Sequence, residues 1–147
     1  MVEIMVVLVL LGFLAILAMP AITRMKESAM KKRFVSDVRT FAQAFESYAA
    51  KNGRWPPDGI RGVVPNGMSG EFRDDSWTRR NSLGGLWDWD YKAVTGYTAG
   101  ISTVEVTTDD TFMADVDTMI DNGDLTKGSF VKISSAGTDR YMYVLEK

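Results

Sequence analysis

The sequence predicts an α+β fold, in which a long N-terminal helix over about residues 2–52 packs against a small antiparallel β-sheet. Three observations lead to this prediction. An apolar run covers residues 4–22, an amphipathic helical pattern continues from it to Asn52, and short alternating segments separated by glycine fill the last third of the chain. Since 147 residues are close to the usual size of one domain, the sheet and the second half of the helix are expected to share one core.

The apolar run is long enough to cross a membrane. Its nineteen residues carry no charged side chain, and at about 1.5 Å each they span roughly 28 Å, close to the ~30 Å hydrocarbon core of a bilayer. A secretory signal peptide would have a basic start and a shorter apolar core, whereas a buried helix of a small soluble domain would be amphipathic. We therefore predict that residues 1–23 form a transmembrane or filament-core helix.

A basic segment and an apolar stripe follow the apolar run. The basic segment consists of Arg24, Lys26, Lys31, Lys32 and Arg33, with Glu27 as the one acidic residue among them. The stripe consists of residues at spacings of four, three, four and three, which share one face of a helix, namely Phe34, Val38, Phe41, Phe45 and Tyr48. Because Asn52-Gly53 is a typical helix end, residues 24–52 are predicted to continue the helix as an amphipathic segment. The stripe could be a coiled-coil seam, but its aromatic residues favour packing against a compact head.

Two residues are predicted to weaken the apolar half of the helix. Pro20 removes a backbone donor and is predicted to kink or loosen the helix near Ile16. Gly12 lies about one turn earlier and has a low helix propensity. A plain membrane anchor would tolerate both residues, whereas in a tightly packed bundle they would allow bending or local melting.

Glu3 is the one charged side chain that precedes the basic segment. A carboxylate at membrane depth costs about 2.5–3.5 kcal/mol, so we expect Glu3 to have a partner. In one alternative Glu3 lies at the membrane surface, close to the positive end of the helix dipole. In the other it pairs with a positive charge on another subunit, for which the free amino group of Met1 is the obvious candidate.

Composition excludes several classes of protein. Histidine and cysteine are both absent, which removes disulfides, thiol nucleophiles, Cys/His zinc sites and the commonest general base. The net charge of −2 disfavours a nucleic-acid binder built on bulk positive charge, and none is inferred. A membrane-tethered enzyme would need a buried carboxylate pair in a cleft, and nothing in the sequence marks one. We predict that the protein is not an enzyme and has no catalytic residues.

The remaining chain is predicted to be a long loop followed by a head. Residues 53–85 contain seven glycines and three prolines without clear periodicity, which is typical of a loop, and Trp55 is predicted to pack from it onto the stripe. Residues 86–147 are predicted to form a small α+β head whose sheet of three or four antiparallel strands covers the stripe. The strands are expected at residues 86–91, 101–106, 130–133 and 141–145, with a turn at residues 134–137. A helix capped by Thr108 or Asp109 is expected to end at Asn122-Gly123.

The segment from Glu3 to Pro20 resembles the N-terminal segment of the type IV pilins and the type II secretion pseudopilins. The glutamate, the β-branched run, Gly12, the Leu-Ala stretch and the proline follow in the same order. The resemblance implies that Glu3 neutralises the amino terminus of a neighbouring subunit and that the interval from Gly12 to Pro20 is the stretch that unwinds in filaments. Two residues precede Glu3, against four before the family's glutamate, so the family's methylated amino terminus is not assigned to a residue here.

The resemblance also implies a function and a set of partners. Members are inserted in the bacterial inner membrane as precursors, cut by a prepilin peptidase and polymerised by a pilus or secretion assembly machinery. We predict a homopolymer, either an extracellular type IV pilus-like filament or, as the alternative, the periplasmic pseudopilus of a type II secretion system. A non-polymerising single-span membrane protein with a small binding domain is the other alternative. The basic segment alone would favour a cytoplasmic head, but the family orientation places the head outside.

Acidic residues in the head raise the possibility of a calcium site. The net charge is −6 from Trp55 onward and +5 over residues 23–54. Calcium prefers carboxylates and carbonyls in turns, and the weak candidates are Asp121 and Asp124, with Asp88 or Asp90 nearby. The resemblance adds that major pseudopilins also lack cysteine and often bind calcium in C-terminal loops. Solvated helix caps are the alternative reading, and the opposed charges could also attract between neighbouring subunits.

Overall fold

The computed structural model describes residues 1–135 and 138–147, so the centre of the turn expected at residues 134–137 lies outside the described residues. The described helices and strands are, in chain order, α1 (Val2–Asn52), α2 (Asp74–Thr78), β1 (Leu86–Tyr91), β2 (Ala99–Val104), α3 (Asp110–Ile120), β3 (Phe130–Ser135) and β4 (Thr138–Glu146). This order confirms the predicted α+β fold of a long N-terminal helix followed by a small antiparallel sheet.

Helix α1 joins the apolar run to the amphipathic stripe without a break. It ends at Gly53, whose backbone φ of 68° is left-handed and whose N–H donates to the carbonyl of Ala49 at 2.8 Å. Glycine adopts this conformation without a steric penalty, so the residue closes the helix. Pro20 lies inside α1, and its missing N–H leaves the carbonyl of Ile16 without its usual helical partner.

The sheet has the strand order β1-β2-β4-β3, and each neighbouring pair is antiparallel. Helix α3 connects β2 to β3, and the carboxylate of its residue Asp109 at the N-cap accepts from the N–H of Phe112 at 2.9 Å. Strand β2 was expected at residues 101–106 but runs from Ala99 to Val104. It ends there because Glu105 adopts a φ of 59°, which is incompatible with extended backbone.

The core lies between one face of the sheet and the second half of α1. Phe34 stacks on Trp87 with 5.1 Å between ring centroids, and Phe45 stacks on Trp89 at 3.9 Å. Phe41 packs edge-on against Trp87 at 5.2 Å. Because successive strand residues alternate between faces, the two tryptophans of β1 both face the helix.

Helix α2 lies within the segment that was expected to be a long loop. Its Trp77 is completely buried, and the indole N–H donates to the carbonyl of Val63 at 2.8 Å. The ring of Trp77 packs edge-on against Phe41 at 5.0 Å, so the segment adds a third aromatic layer to the core. A five-residue helix with one apolar side chain has no detectable periodicity, which is why the sequence did not predict it.

Candidate functional site

The first 22 residues of the chain expose every large apolar side chain that they contain. The exposed fraction ranges from 51% at Ile22 to 99% at Met1. The most apolar 18-residue window of α1 has a mean hydropathy of 2.8 and buries none of its residues, and by length and composition it is able to cross a membrane. An apolar surface of this length needs lipid or other protein chains around it. We call residues 1–23 the apolar half of α1.

Glu3 and Met1 lie at the exposed tip of the apolar half. Glu3 is in the first helical turn, and among the described residues it forms no ion pair. The carbonyl of Met1 accepts from the N–H of Met5 at 3.3 Å. Met1 itself is 99% exposed, so its amino group is accessible. Within one chain the structure does not bring the carboxylate and the amino group together. Both groups are therefore accessible to a second chain, and their pairing stays a prediction.

The two residues predicted to weaken the apolar half lie in helical backbone. A Cβ atom added at Gly12 would meet no atom within 4 Å, so no contact inside the subunit requires glycine there. One turn below Pro20, the hydroxyl of Thr23 donates to the carbonyl of Met19 at 3.2 Å. Hydrogen bonds of this kind compete with the helical ladder and favour bending. Kinking or melting between Gly12 and Pro20 stays a prediction.

The predicted stripe is the part of α1 that contacts the core. Its first four members are almost fully buried, with exposed fractions of 0–2%, and these are Phe34, Val38, Phe41 and Phe45. Tyr48 is partly buried at the edge of the core, beside Gly67 of the following segment. A Cβ atom at Gly67 would lie 2.9 Å from the hydroxyl oxygen of Tyr48, so the close approach and a φ of 87° both require glycine.

Trp55 packs against the core cluster that contains the stripe. Its ring lies 5.6 Å from that of Trp89, and its indole N–H donates to the carboxylate of Glu146. Trp89 in turn stacks on Phe45 of the stripe. Trp55 therefore joins the core beside β1, and its direct contact with the stripe stays a prediction.

The loop after α3 holds the residues proposed as calcium ligands. The Asp121 carboxylate accepts from the N–H of Ser129 at 2.7 Å, and that of Asp124 accepts from the hydroxyl of Thr126 at 2.6 Å. This hydroxyl and the nearby Lys127 lower the pKa of Asp124 to about 2. Over residues 1–135 and 138–147, no group of three or more carboxylates lies close enough to hold a metal ion.

Asp117 belongs to the same region and was missed by the sequence analysis. It is fully buried, and neither of its carboxylate oxygens makes a hydrogen bond within the described part of the chain. Burial raises its pKa, and the negative charges of Asp121 and Asp124 add to that effect, while backbone groups of the loop oppose it. Asp117 therefore binds a proton more readily than an ordinary aspartate does. Its helical spacing resembles that of a core residue, which is why it was not singled out.

A buried carboxylate pair on β1 is a second feature that the sequence did not reveal. Asp88 and Asp90 are 7% and 5% exposed, and both bind the guanidinium of Arg140 on β4, with 3.0 Å between Arg140 Nη2 and Asp88 Oδ2. Ser102 donates its hydroxyl proton to Asp90. The side chains of Asp88, Asp90 and Arg140 line an open cavity of about 500 Å³ together with Asp58. Neither aspartate joins Asp121 and Asp124 in a metal-holding group.

The chemistry of this pair depends on burial, on the repulsion between the two carboxylates and on Arg140. Burial raises the pKa of Asp88 to about 6, the charge of Asp90 adds to the rise, and Arg140 opposes it. A carboxylate with such a pKa inside a cavity has the properties of an acid–base residue. Both aspartates are, however, held in a shared ion pair across the sheet, which is the geometry of a structural link between β1 and β4.

Comparisons with curated proteins find partial similarity to one kind of secretion-system protein. The type II secretion system core protein G of Pectobacterium carotovorum subsp. carotovorum is 39% identical over 64 residues, which cover 42% of this chain and 41% of that protein. The protein of the same name from Aeromonas hydrophila is 41% identical over 54 residues, which cover 37% of this chain and 38% of that protein. The resemblance to the pseudopilins is confirmed. The structure agrees with this resemblance, because it has a pilin-like arrangement of a long helix and a small sheet. The apolar half of the helix is exposed.

The extent of the pseudopilin match is limited. The matched part of the chain spans about two fifths of the length of these relatives. No family model matches the chain, and no solved structure does.

Proposed function

We propose that this protein is a structural subunit that polymerises through its apolar half into a pilin-like filament and has no catalytic activity. The observation that carries the proposal is the complete exposure of residues 4–22 on a helix whose second half is tightly packed. The similarity to type II secretion system core protein G favours the pseudopilus of a secretion system over an extracellular pilus. An extracellular pilus is the second candidate, since the same architecture is suited to a pilus and to a pseudopilus.

The physical basis of polymerisation is burial of the apolar half against other copies of itself. Once the apolar half has left the membrane, each Å² of apolar surface left in water would cost about 25 cal/mol, so a helix that is apolar on all sides is stabilised by neighbouring copies on all sides. Glu3 would fix the axial register, because a misplaced carboxylate would lie unpaired in an apolar core. The amino group of Met1 on a neighbouring chain is the partner proposed for it.

The proposal includes a route from membrane to filament. The apolar half anchors the precursor in the inner membrane, a prepilin peptidase processes it, and the secretion or pilus assembly machinery extracts the subunit into the growing polymer. The head then lies in the periplasm. The support for this route is the length of the apolar half and the similarity to secretion-system proteins.

Electron cryomicroscopy of cells that express the complete gene tests the proposal. Sheared surface material and the cell envelope are imaged separately, alongside cells that express residues 24–147 alone. We expect thin filaments with residues 4–22 in their core from the complete gene and none from the shortened chain. Filaments confined to the envelope support the pseudopilus, and filaments in the sheared material support the pilus. Membrane-bound monomers in both fractions would overturn polymerisation.

We also propose that the loop after α3 binds calcium through the carboxylates of Asp121 and Asp124, with backbone carbonyls of the loop as further ligands. Carboxylates and carbonyls in turns are the ligands that calcium prefers. Since a ligand that binds the folded state stabilises it, saturating calcium should raise the melting temperature by about 5 °C or more over chelator. Differential scanning fluorimetry in detergent should show no rise for Asp124→Asn and the full rise for Asp115→Asn, an exposed aspartate on α3. Equal melting temperatures of the native protein in calcium and chelator would contradict the site.

A further inference from the structure

The basic segment beyond the apolar half contains four cations that form no ion pair among the described residues. They are Arg24, Lys26, Lys32 and Arg33, which we call the cationic belt, and all four are exposed. The neighbouring Lys31 differs, because its ammonium lies 2.6 Å from the carboxylate of Asp115 on α3 and helps to fix α3 to α1. The belt therefore plays no comparable part in holding the fold together.

The members of the belt are spread over about 200° of the helix circumference, which is more than one face of the helix. At about 100° per residue, Arg24 and Lys26 lie roughly 160° apart around the axis, and Lys32 and Arg33 lie roughly 80° and 180° from Arg24. A protein partner would contact one side of the helix and would be matched by a one-sided stripe of charge. Lipid headgroups, in contrast, surround a membrane-spanning helix in every direction.

The belt also lies at the right height. Arg24 is about 3 Å beyond Ile22 along the helix axis, and Arg33 is about 16 Å beyond it. Side chains on a helix tilt towards its N-terminus, so long lysine and arginine side chains here extend back towards the apolar half. The field of an anionic membrane surface acts over about 8–10 Å, which this extension brings within reach.

We propose that the cationic belt binds the headgroups of anionic phospholipids on the membrane face from which the head projects, before the subunit enters a filament. The proposal rests on the membrane-anchored stage of the proposed function. The recognised chemistry is a phosphodiester that carries a net negative charge, held by ammonium and guanidinium groups. Each basic residue near such a surface strengthens binding about fivefold, so the four together give a clear preference over zwitterionic lipid.

Native mass spectrometry of the full chain in nonionic detergent tests the belt, with phosphatidylglycerol and phosphatidylcholine present in equal amounts. We expect bound phosphatidylglycerol to exceed bound phosphatidylcholine by about tenfold or more. The variant Arg24→Gln/Lys26→Gln/Lys32→Gln/Arg33→Gln should reduce this ratio to less than about twofold. The matched control Arg54→Gln/Arg73→Gln/Lys92→Gln/Lys147→Gln removes four exposed cations elsewhere and should keep the full ratio. Inorganic phosphate at millimolar concentration should not displace the lipid.

The outcomes separate this inference from polymerisation. A belt variant that keeps the lipid preference, or a control that loses it equally, would overturn the inference. Displacement by inorganic phosphate would overturn it too, by making the site one for free anions. A belt variant that keeps its lipids but loses filaments would show that the belt contacts the acidic head of a second copy instead.

The native protein separates this inference from the proposed function. If it forms filaments but shows no lipid preference, this inference alone is overturned, whereas a lipid preference without filaments overturns polymerisation alone. Circular dichroism checks that each variant folds.

Discussion

Among single residues, Glu3 is the charged residue that lies within the apolar half of α1. It is a carboxylate at the tip of a helix that otherwise exposes apolar side chains, and within its own chain the described residues offer it no cation. We expect Glu3→Gln to leave the head folded and to reduce filament yield at least tenfold, because the variant cannot neutralise a neighbour's amino group. Counting filaments by electron microscopy at equal expression measures the effect.

A matched control separates register from general charge loss. Glu46→Gln removes an exposed carboxylate from the packed half of the same helix and should give the native yield. If Glu3→Gln also gives the native yield, Glu3 does not set the register, and a location at the membrane surface explains it better.

Asp88 carries a different prediction, which concerns the pH dependence of stability. Its pKa is raised to about 6 from an ordinary value of 3.8, so the folded protein binds a proton that the unfolded chain has lost. The stability that Asp88 contributes is therefore fully present below about pH 4 and is lost as the pH rises through 6. Relative to Asp88→Asn, the native protein should lose up to about 3 kcal/mol between pH 4 and pH 7. Urea unfolding in detergent, followed by tryptophan fluorescence at several pH values, measures this difference.

A control for Asp88 uses a substitution that changes no titratable group. Gln43→Asn on the exposed face of α1 should leave the difference in unfolding free energy from the native protein independent of pH over the same range. A flat profile for Asp88→Asn relative to the native protein would show that Arg140 holds Asp88 ionised throughout.

Single residues differ in how far the sequence could reveal them. Glu3 was recognisable because it interrupts an apolar segment, and Phe45 because it recurs at helical spacing. Arg140 could not be assigned to Asp88, since 52 positions separate them and only the pairing of β1 with β2 and of β2 with β4 brings them together. Asp117 could not be recognised for a different reason. The pattern of α3 predicts which face of the helix is buried, but it does not predict that a charged residue is buried there.

Among the elements, α1 divides into two halves whose aromatic residues have opposite environments. Phe45 is fully buried and stacks on Trp89 at 3.9 Å, whereas Phe13 is 63% exposed on the apolar half. We expect Phe45→Ala to lower the free energy of unfolding by about 3–5 kcal/mol, which is typical for removal of a buried phenyl ring. Phe13→Ala should leave it within about 0.5 kcal/mol. Urea unfolding of both full-length variants in detergent compares them, and equal losses would contradict the division.

The sequence predicted the elements that carry strong periodicity and missed those that depend on contacts at a distance. Helix α1 and strand β1 follow directly from spacings of three, four and two. The end of β2 depends on the left-handed backbone of Glu105, a conformation that the residue type alone does not predict. Helix α2 forms because Trp77 fills a space between α1 and β1, and that space exists only in the folded chain.

The whole molecule consists of a folded body and the apolar half of α1, residues 1–23, which takes no part in the fold. Every buried residue of α1 lies between Phe34 and Phe45, so the apolar half contributes nothing to the core. Removal of residues 1–23 should therefore give a soluble monomer with a native melting transition. Size-exclusion chromatography with light scattering, together with near-UV circular dichroism, measures both properties.

A longer deletion tests the same division from the other side. Removal of residues 1–45 also removes the four most buried members of the stripe. Trp87 and Trp89 then lose the rings of Phe34 and Phe45 on which they stack, and one face of each becomes exposed. Since these rings supply one side of the core, that chain should show no cooperative unfolding transition. If the chain of residues 24–147 still formed filaments, the apolar half would not be the filament core. If the chain of residues 46–147 folded, the packed half of α1 would be dispensable, and the head would be a domain independent of the helix that carries it.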